Sequence, residues 1–206
     1  VSPEDIVQVL NDRGWMARIV NRADVPDLVD CDAAGLMKCV DGRASDQAGM
    51  RGPKTLGGIY AIASMRGVSD AAGLAAIVKE VSDAGFVPSV HGDQHSGGMG
   101  CGYYKLWTQG NLDGLEPPKF DCEQGKAAVL EAGGVYEELA GDHYEVQVVV
   151  NLVPGTTLVP TPNDQRFVVD AWVAAQFNLD IPTYLTLAVS TVEQLSTTCR
   201  SARIVI

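Results

Sequence analysis

Two cysteines and one histidine carry the reactive chemistry of this sequence. Cys39 begins the stretch Cys39-Val40-Asp41-Gly42-Arg43, and His91 and Cys101 bracket a second stretch containing Gly92, Gly97, Gly98 and Gly100. A thiolate, an imidazole and a second thiolate form a set of three protein ligands that leaves one tetrahedral position open for water. Coordination lowers the pKa of such a water from about 15.7 toward about 7, so a hydroxide nucleophile becomes available near neutral pH. That is hydrolase or hydratase chemistry. Two thiolates favour a soft ion, and both zinc and cadmium suit the set. The four glycines permit close approach of backbone to a ligand or ion.

Asp41 and Arg43 add a second layer. In an extended segment residues i and i+2 share a side, so Asp41 shares the face of Cys39 and is placed to accept a hydrogen bond from the hydroxide. Arg43 can hold Asp41 ionised through a bidentate pair, which keeps the carboxylate an acceptor rather than a competing metal ligand. Two further candidates lie beside His91. Asp93 or a backbone carbonyl can take the second imidazole proton, and His95, with an ordinary pKa of about 6.5, is a candidate for carrying protons outward.

Other site classes share parts of this pattern. A structural metal site normally closes with a fourth ligand, and no Cys-x-x-Cys pair is present. A zinc deaminase needs a catalytic Glu beside its His, where this chain has His91-Gly92-Asp93. A metal-dependent hydrolase for another small substrate and a metal-free Cys–His nucleophile are the remaining enzyme alternatives. Cys31, Cys122 and Cys199 complete an odd total of 5 cysteines, which is no disulfide scaffold, and small buried apolar packing is their expected role.

Cys-x-Asp-x-Arg with a distant His and Cys resembles the metal site of beta-class carbonic anhydrases. There the second half is a compact His-x-x-Cys, whereas residues 92–100 separate His91 from Cys101 here. The order CVDGRASD, GPKTLGGIYAIA, HGDQHSGGMGCGYYKLW is similar instead to the zeta class, the cadmium carbonic anhydrases of marine phytoplankton. The likeness is anchored from Cys39 to Trp107. It implies that Cys39, His91 and Cys101 are the metal ligands and that Asp41 with Arg43 is the orienting dyad. It further implies reversible hydration of carbon dioxide to bicarbonate, one exchangeable cadmium or zinc ion with water as fourth ligand, and other copies of the domain in tandem.

These residues must be positioned by secondary structure. Leu36-Met37-Lys38-Cys39-Val40 reads as a buried strand delivering Cys39 at its end, and Phe86–Val90 as a strand leading into His91. Ser2-Pro3-Glu4-Asp5 reads as a helix start with Gly14 as its stop. Helices are expected over Leu56–Ser64, from a Ser69 cap to about Gly85, from Cys101 through Trp107, over Asp121–Ala132, over Val168–Phe177 and from Pro182 onward. A helix start at Cys101 would favour its thiolate. Strands are expected at Tyr144–Val153 and Arg203–Ile206, with a turn at Pro154-Gly155-Thr156. Residues 50–55 lack the order of a phosphate-binding loop. Helices and strands interspersed in this way predict an α/β fold with a mixed sheet.

The 206 residues, 46% hydrophobic with 22 glycines, suit one catalytic domain spanning 1–206, or one repeat of a longer tandem protein. A net charge of −11 argues against a nucleic-acid partner, since phosphate binding needs a basic surface. No apolar run approaches the roughly 20 residues of a membrane span, and VSPEDIVQ reads as no signal peptide. The compartment is not legible. Carbon dioxide is apolar and uncharged, so its pocket is expected to be small and hydrophobic.

Overall fold

Alternating valines build the first sheet. In β7 (Val148–Asn151), Val148 and Val150 face one core while Val149 faces another, and β9 (Phe167–Asp170) divides Phe167 and Val169 from Val168 in the same way. Successive strand residues point to opposite faces, so both faces of this sheet are buried. β10 (Ser201–Val205) lies between β7 and β1 (Met16–Val20), giving the all-parallel order β1-β10-β7-β9. On the Val149 side a small core of Val25, Leu28, Val149, Leu158, Val168 and Val205 forms. An antiparallel ribbon of β2 (Leu28–Cys31) and β8 (Thr157–Pro160) contributes Leu28 and Leu158 to it. The computed structural model describes residues 1–31, 36–39, 54–93, 101–112, 114–139, 147–160, 166–196 and 198–206.

The second sheet carries the candidate ligands. Its order is β4 (Lys54–Thr55), β3 (Leu36–Cys39), β5 (Val87–Asp93), β6 (Val135–Leu139), again all parallel. β9 packs beside β4, which brings the two sheets together. One large hydrophobic core runs through both, from Ile204 and Val150 to Val90 and Leu56.

The helices begin where their side chains can cap them. α1 (Pro3–Asp12) has a reciprocal capping box, with the Asp5 amide donating to Ser2 Oγ and the Ser2 amide to Asp5 Oδ2, both at 3.1 Å. Its Ile6 and Leu10 are buried, and Gly14 takes up a φ of +83° just past its end. α5 (Cys122–Glu131) repeats the device with Asp121 and Gln124. α3 (Ala71–Asp83) buries Leu74, Ile77, Val78 and Val81, and packs on α5 and β5. α2 (Tyr60–Met65) touches α3 and α4 (Gly102–Thr108). α4 in turn rests on α7 (Ile181–Leu195), which also packs on α6 (Ala171–Gln176).

The α/β class with interspersed helices is as expected, and the described sheets are parallel except for the β2–β8 ribbon. Several boundaries differ from expectation. Residues 168–177 divide into the last strand residues of β9 and the helix α6, because Phe167-Val168-Val169 is too short an apolar run to set its own period and pairing with β7 decides it. Leu56–Ile59 is a turn, and helix begins only at Tyr60. Asp70, not Ser69, caps α3, accepting the Gly73 amide at 2.7 Å. The strand expected over Tyr144–Val153 is present as β7 over Val148–Asn151, and residues 144–146 lie outside the described residues. β1, β2, β6 and β8 carry no clear sequence alternation and were not expected.

Candidate metal centre

Three elements deliver the three predicted ligands to one place. Cys39 is the last residue of β3, as expected. His91 lies inside the neighbouring parallel strand β5 rather than after it, two residues before its end at Asp93. Cys101 is the N-cap of α4. One ligand atom from each lies within 4.8 Å of the others, and the residues are 7%, 4% and 1% exposed. That spread suits a single tetrahedral ion with Zn–S distances of about 2.3 Å.

Electrostatics in this pocket call for a cation. Burial pushes the Cys101 thiol well above its ordinary value, and its hydrogen bond with Cys39 and the charge on that sulfur push it further. The Tyr104 and Tyr103 amides, at the start of α4, pull in the opposite direction without offsetting burial. Two adjacent buried thiolates are therefore strongly disfavoured unless a positive ion lies between them. Two sulfurs and an imidazole are the donor set a soft divalent ion prefers. His91 presents the matching nitrogen. Its Nδ1–H donates to the Gly92 carbonyl at 3.3 Å, which leaves Nε2 with the lone pair. The acceptor is thus a backbone carbonyl; the side chain of Asp93 lies outside the described residues.

The surroundings of Cys101 are fixed in part by residues 56–59, expected as helix but found as a turn. Gly57 has a φ of +56°, and a Cβ there would stand 3.1 Å from Cys101 Sγ and 3.3 Å from the Tyr103 side chain. At Gly58, φ +66°, a Cβ would fall 1.7 Å from the Ser89 carbonyl oxygen of β5. Only glycines allow this turn to close over the sulfur and against the histidine strand. The Gly-Gly dipeptide is a turn signal that argues against helix at Leu56–Ile59. Tyr103 Oη bonds Ser64 Oγ at 2.6 Å, tying α4 to α2. Tyr60, Tyr104, Trp107 and Phe120 form a ring cluster, and Tyr104 Oη donates to the Phe120 carbonyl at 2.6 Å. These contacts hold the start of α4, and with it Cys101, in place.

The remaining predicted site residues, Asp41, Arg43 and His95, lie outside the described residues. Cys199 is buried and Cys122 half-buried, in keeping with packing roles. Among the described residues no helix is long and apolar enough to cross a membrane.

Comparison with known proteins follows the same line. A family model described as the cadmium carbonic anhydrase repeat matches residues 28–206. The chain is similar to a solved structure of a carbonic anhydrase from the marine diatom Thalassiosira weissflogii, its cadmium-bound domain 2 with acetate. The two share 50% sequence identity with a TM-score of 0.92, over 100% of each chain. No curated protein matches.

Proposed function

The chain belongs to the cadmium carbonic anhydrase repeat family, and from that membership and the pocket geometry we propose how its residues carry out reversible hydration of carbon dioxide. Cys39, His91 and Cys101 would hold one cadmium or zinc ion, the two metals being exchangeable in the same ligand set. The observation that carries this assignment is the convergence of three buried ligand atoms within 4.8 Å. When bound, the ion supplies the acidity that provides hydroxide to carbon dioxide near neutral pH.

The chain's own groups do the rest. His91 is fixed in one tautomer by the Gly92 carbonyl, so Nε2 is the nitrogen that would hold the ion. Asp41 orients the nucleophile by accepting its hydrogen, and Arg43 keeps Asp41 ionised and in position. His95 is the candidate for passing the released proton to solvent. Residues 1–206 act as one catalytic repeat, and further copies of the repeat in tandem are the expected partners.

Stopped-flow carbon dioxide hydration on chelator-stripped protein, with cadmium or zinc added back stoichiometrically, tests the assignment. Restored turnover is expected with either ion. Asp41→Asn should retain the ion and lose turnover on the order of 100-fold, the scale of a positioned proton-handling group. Binding of one equivalent without hydration would make the centre a structural metal site.

A further inference from the structure

Gly92 carries the carbonyl that fixes His91, and the space over its Cα is occupied. A Cβ at Gly92 would fall 1.9 Å from Tyr136 Oη and 2.6 Å from Glu138 Oε2, so two oxygens of β6 fill the volume that a side chain there would need. The φ of Gly92 lies outside the left-handed region, so glycine is required for space rather than for conformation. Tyr136 donates to Glu138 Oε2 at 2.5 Å, closing the pair over the glycine. Lys126 of α5 sets its Nζ 4.0 Å from the centre of the Tyr136 ring and steadies it by a cation–π contact. Register pairs Val90 with Tyr136, His91 with Glu137 and Gly92 with Glu138. Because successive strand residues point to opposite faces, Gly92 and the Tyr136–Glu138 pair share one face of the sheet, and His91 points from the other.

We infer that Tyr136 and Glu138 are positioning residues of the metal centre: their hydrogen-bonded pair braces Gly92 from behind and keeps its carbonyl on His91 Nδ1. The inference rests on His91 being a metal ligand, as proposed above. The bond from His91 Nδ1 to the Gly92 carbonyl is 3.3 Å long, beyond the usual range of about 2.7–3.2 Å. Withdrawal of that carbonyl by about 0.3 Å would therefore end it. Glycine has more backbone freedom to lose than any other residue, so the acceptor sits on the part of β5 that most needs support. The ladder to β6 holds the strand within the plane of the sheet, and the pair blocks movement out of that plane. With the bond intact the ring keeps its proton on Nδ1 and leaves Nε2 for the ion, the role that outer partners of metal-ligating histidines perform. Both side chains act through Gly92, from the face opposite the ligand atoms.

The test compares the wild-type chain with Tyr136→Phe and Glu138→Ala. Tyr136→Phe keeps the ring beside Lys126 and removes only the oxygen over Gly92. In the metal-free chain, long-range proton–nitrogen NMR of the 3 histidines reads the imidazole tautomers. His91 is expected to be protonated at Nδ1 in wild type and to show a mixture of tautomers in both variants. On the chain loaded with cadmium-113, both variants should displace the metal resonance and raise the apparent cadmium dissociation constant about 10-fold by chelator competition, with circular dichroism unchanged. Glu138→Gln, which keeps an acceptor for the phenol, should retain wild-type values in both measurements. Wild-type tautomer, resonance and affinity in Tyr136→Phe and Glu138→Ala, with or without a fall in thermal stability, would overturn the inference and leave the metal assignment intact. Failure of the wild-type chain to bind cadmium would overturn both.

Discussion

At the scale of single residues, the centre depends on side chains that are absent as much as on those present. Cys101 is 1% exposed, and the turn that closes over it succeeds because Gly57 lacks a Cβ. Alanine at 57 would pay twice: a left-handed φ of +56° costs about 1–2 kcal/mol for a residue with a Cβ, and the new methyl would press on Cys101 Sγ at 3.1 Å. Gly57→Ala is therefore expected to lower thermal stability and to weaken cadmium binding about 10-fold, measured by unfolding and by chelator competition. Loss of stability with full metal affinity would show that the sulfur accommodates the methyl. The ligand types themselves were legible in the sequence, since Cys, His and Cys beside glycine define a donor set whatever the fold. The Gly57 contact was not, because nothing local to residues 56–59 reveals that Cys101 lies against them.

At the scale of elements, the junction of β9 and α6 encloses a carboxyl group. Asp170 ends the strand and caps the helix, is 0% exposed, and has no cationic partner among the described residues. Burial raises its pKa to about 7, with the Val173, Asn151 and Trp172 hydrogen bonds opposing the shift. The folded state therefore holds a proton that the unfolded chain releases near pH 4. Stability contributed by this group is fully present below about pH 4 and is lost as pH rises toward 7. Asp170→Asn, which keeps the cap, should match wild type near pH 4 and exceed it by about 2–4 kcal/mol above pH 7. Denaturant unfolding across that range checks it, and a constant difference would mean that Asp170 does not titrate there. This junction is also where the helix expected over 168–177 starts late, at Ala171, after strand to Asp170. A cap is written within four residues, as at Ser2–Asp5 and Asp121–Gln124, and both of those starts were legible. The strand character of Phe167–Asp170 depends on β7, which the local sequence does not contain.

At the scale of the whole molecule, one carboxylate ties the outer layer to the first sheet. Asp27, just before β2, accepts from Arg203 of β10, with Nη1 and Nη2 each at 3.3 Å, and from Arg166 Nη1 at 2.5 Å ahead of β9. The arginine side chains are only 10% and 8% exposed, against 50% for Asp27. The Arg203 hydrogen bond, with that of Arg166 and the charges of both, lowers the Asp27 pKa to about 2. Its stabilisation is thus present above about pH 4 and lost as pH falls toward 2. Asp27→Ala leaves two buried guanidinium groups without that carboxylate and is expected to cost about 2–3 kcal/mol, reduced from the fully buried case by solvent at Asp27. Urea unfolding near pH 7 measures it, and a change under 0.5 kcal/mol, about the scale of a neutral surface substitution, would refute it. By itself the sequence determined the donor set, the capped helix starts, the α/β class and the family resemblance, because each is written in residue types and short spacings. Only the tertiary structure decided which strands pair, that both four-stranded sheets are parallel, and that the Gly57–Gly58 turn packs against the Cys101 sulfur and the β5 backbone. Those outcomes depend on segments far apart in the chain meeting across a shared core, where burial and backbone pairing, rather than local propensity, select the conformation.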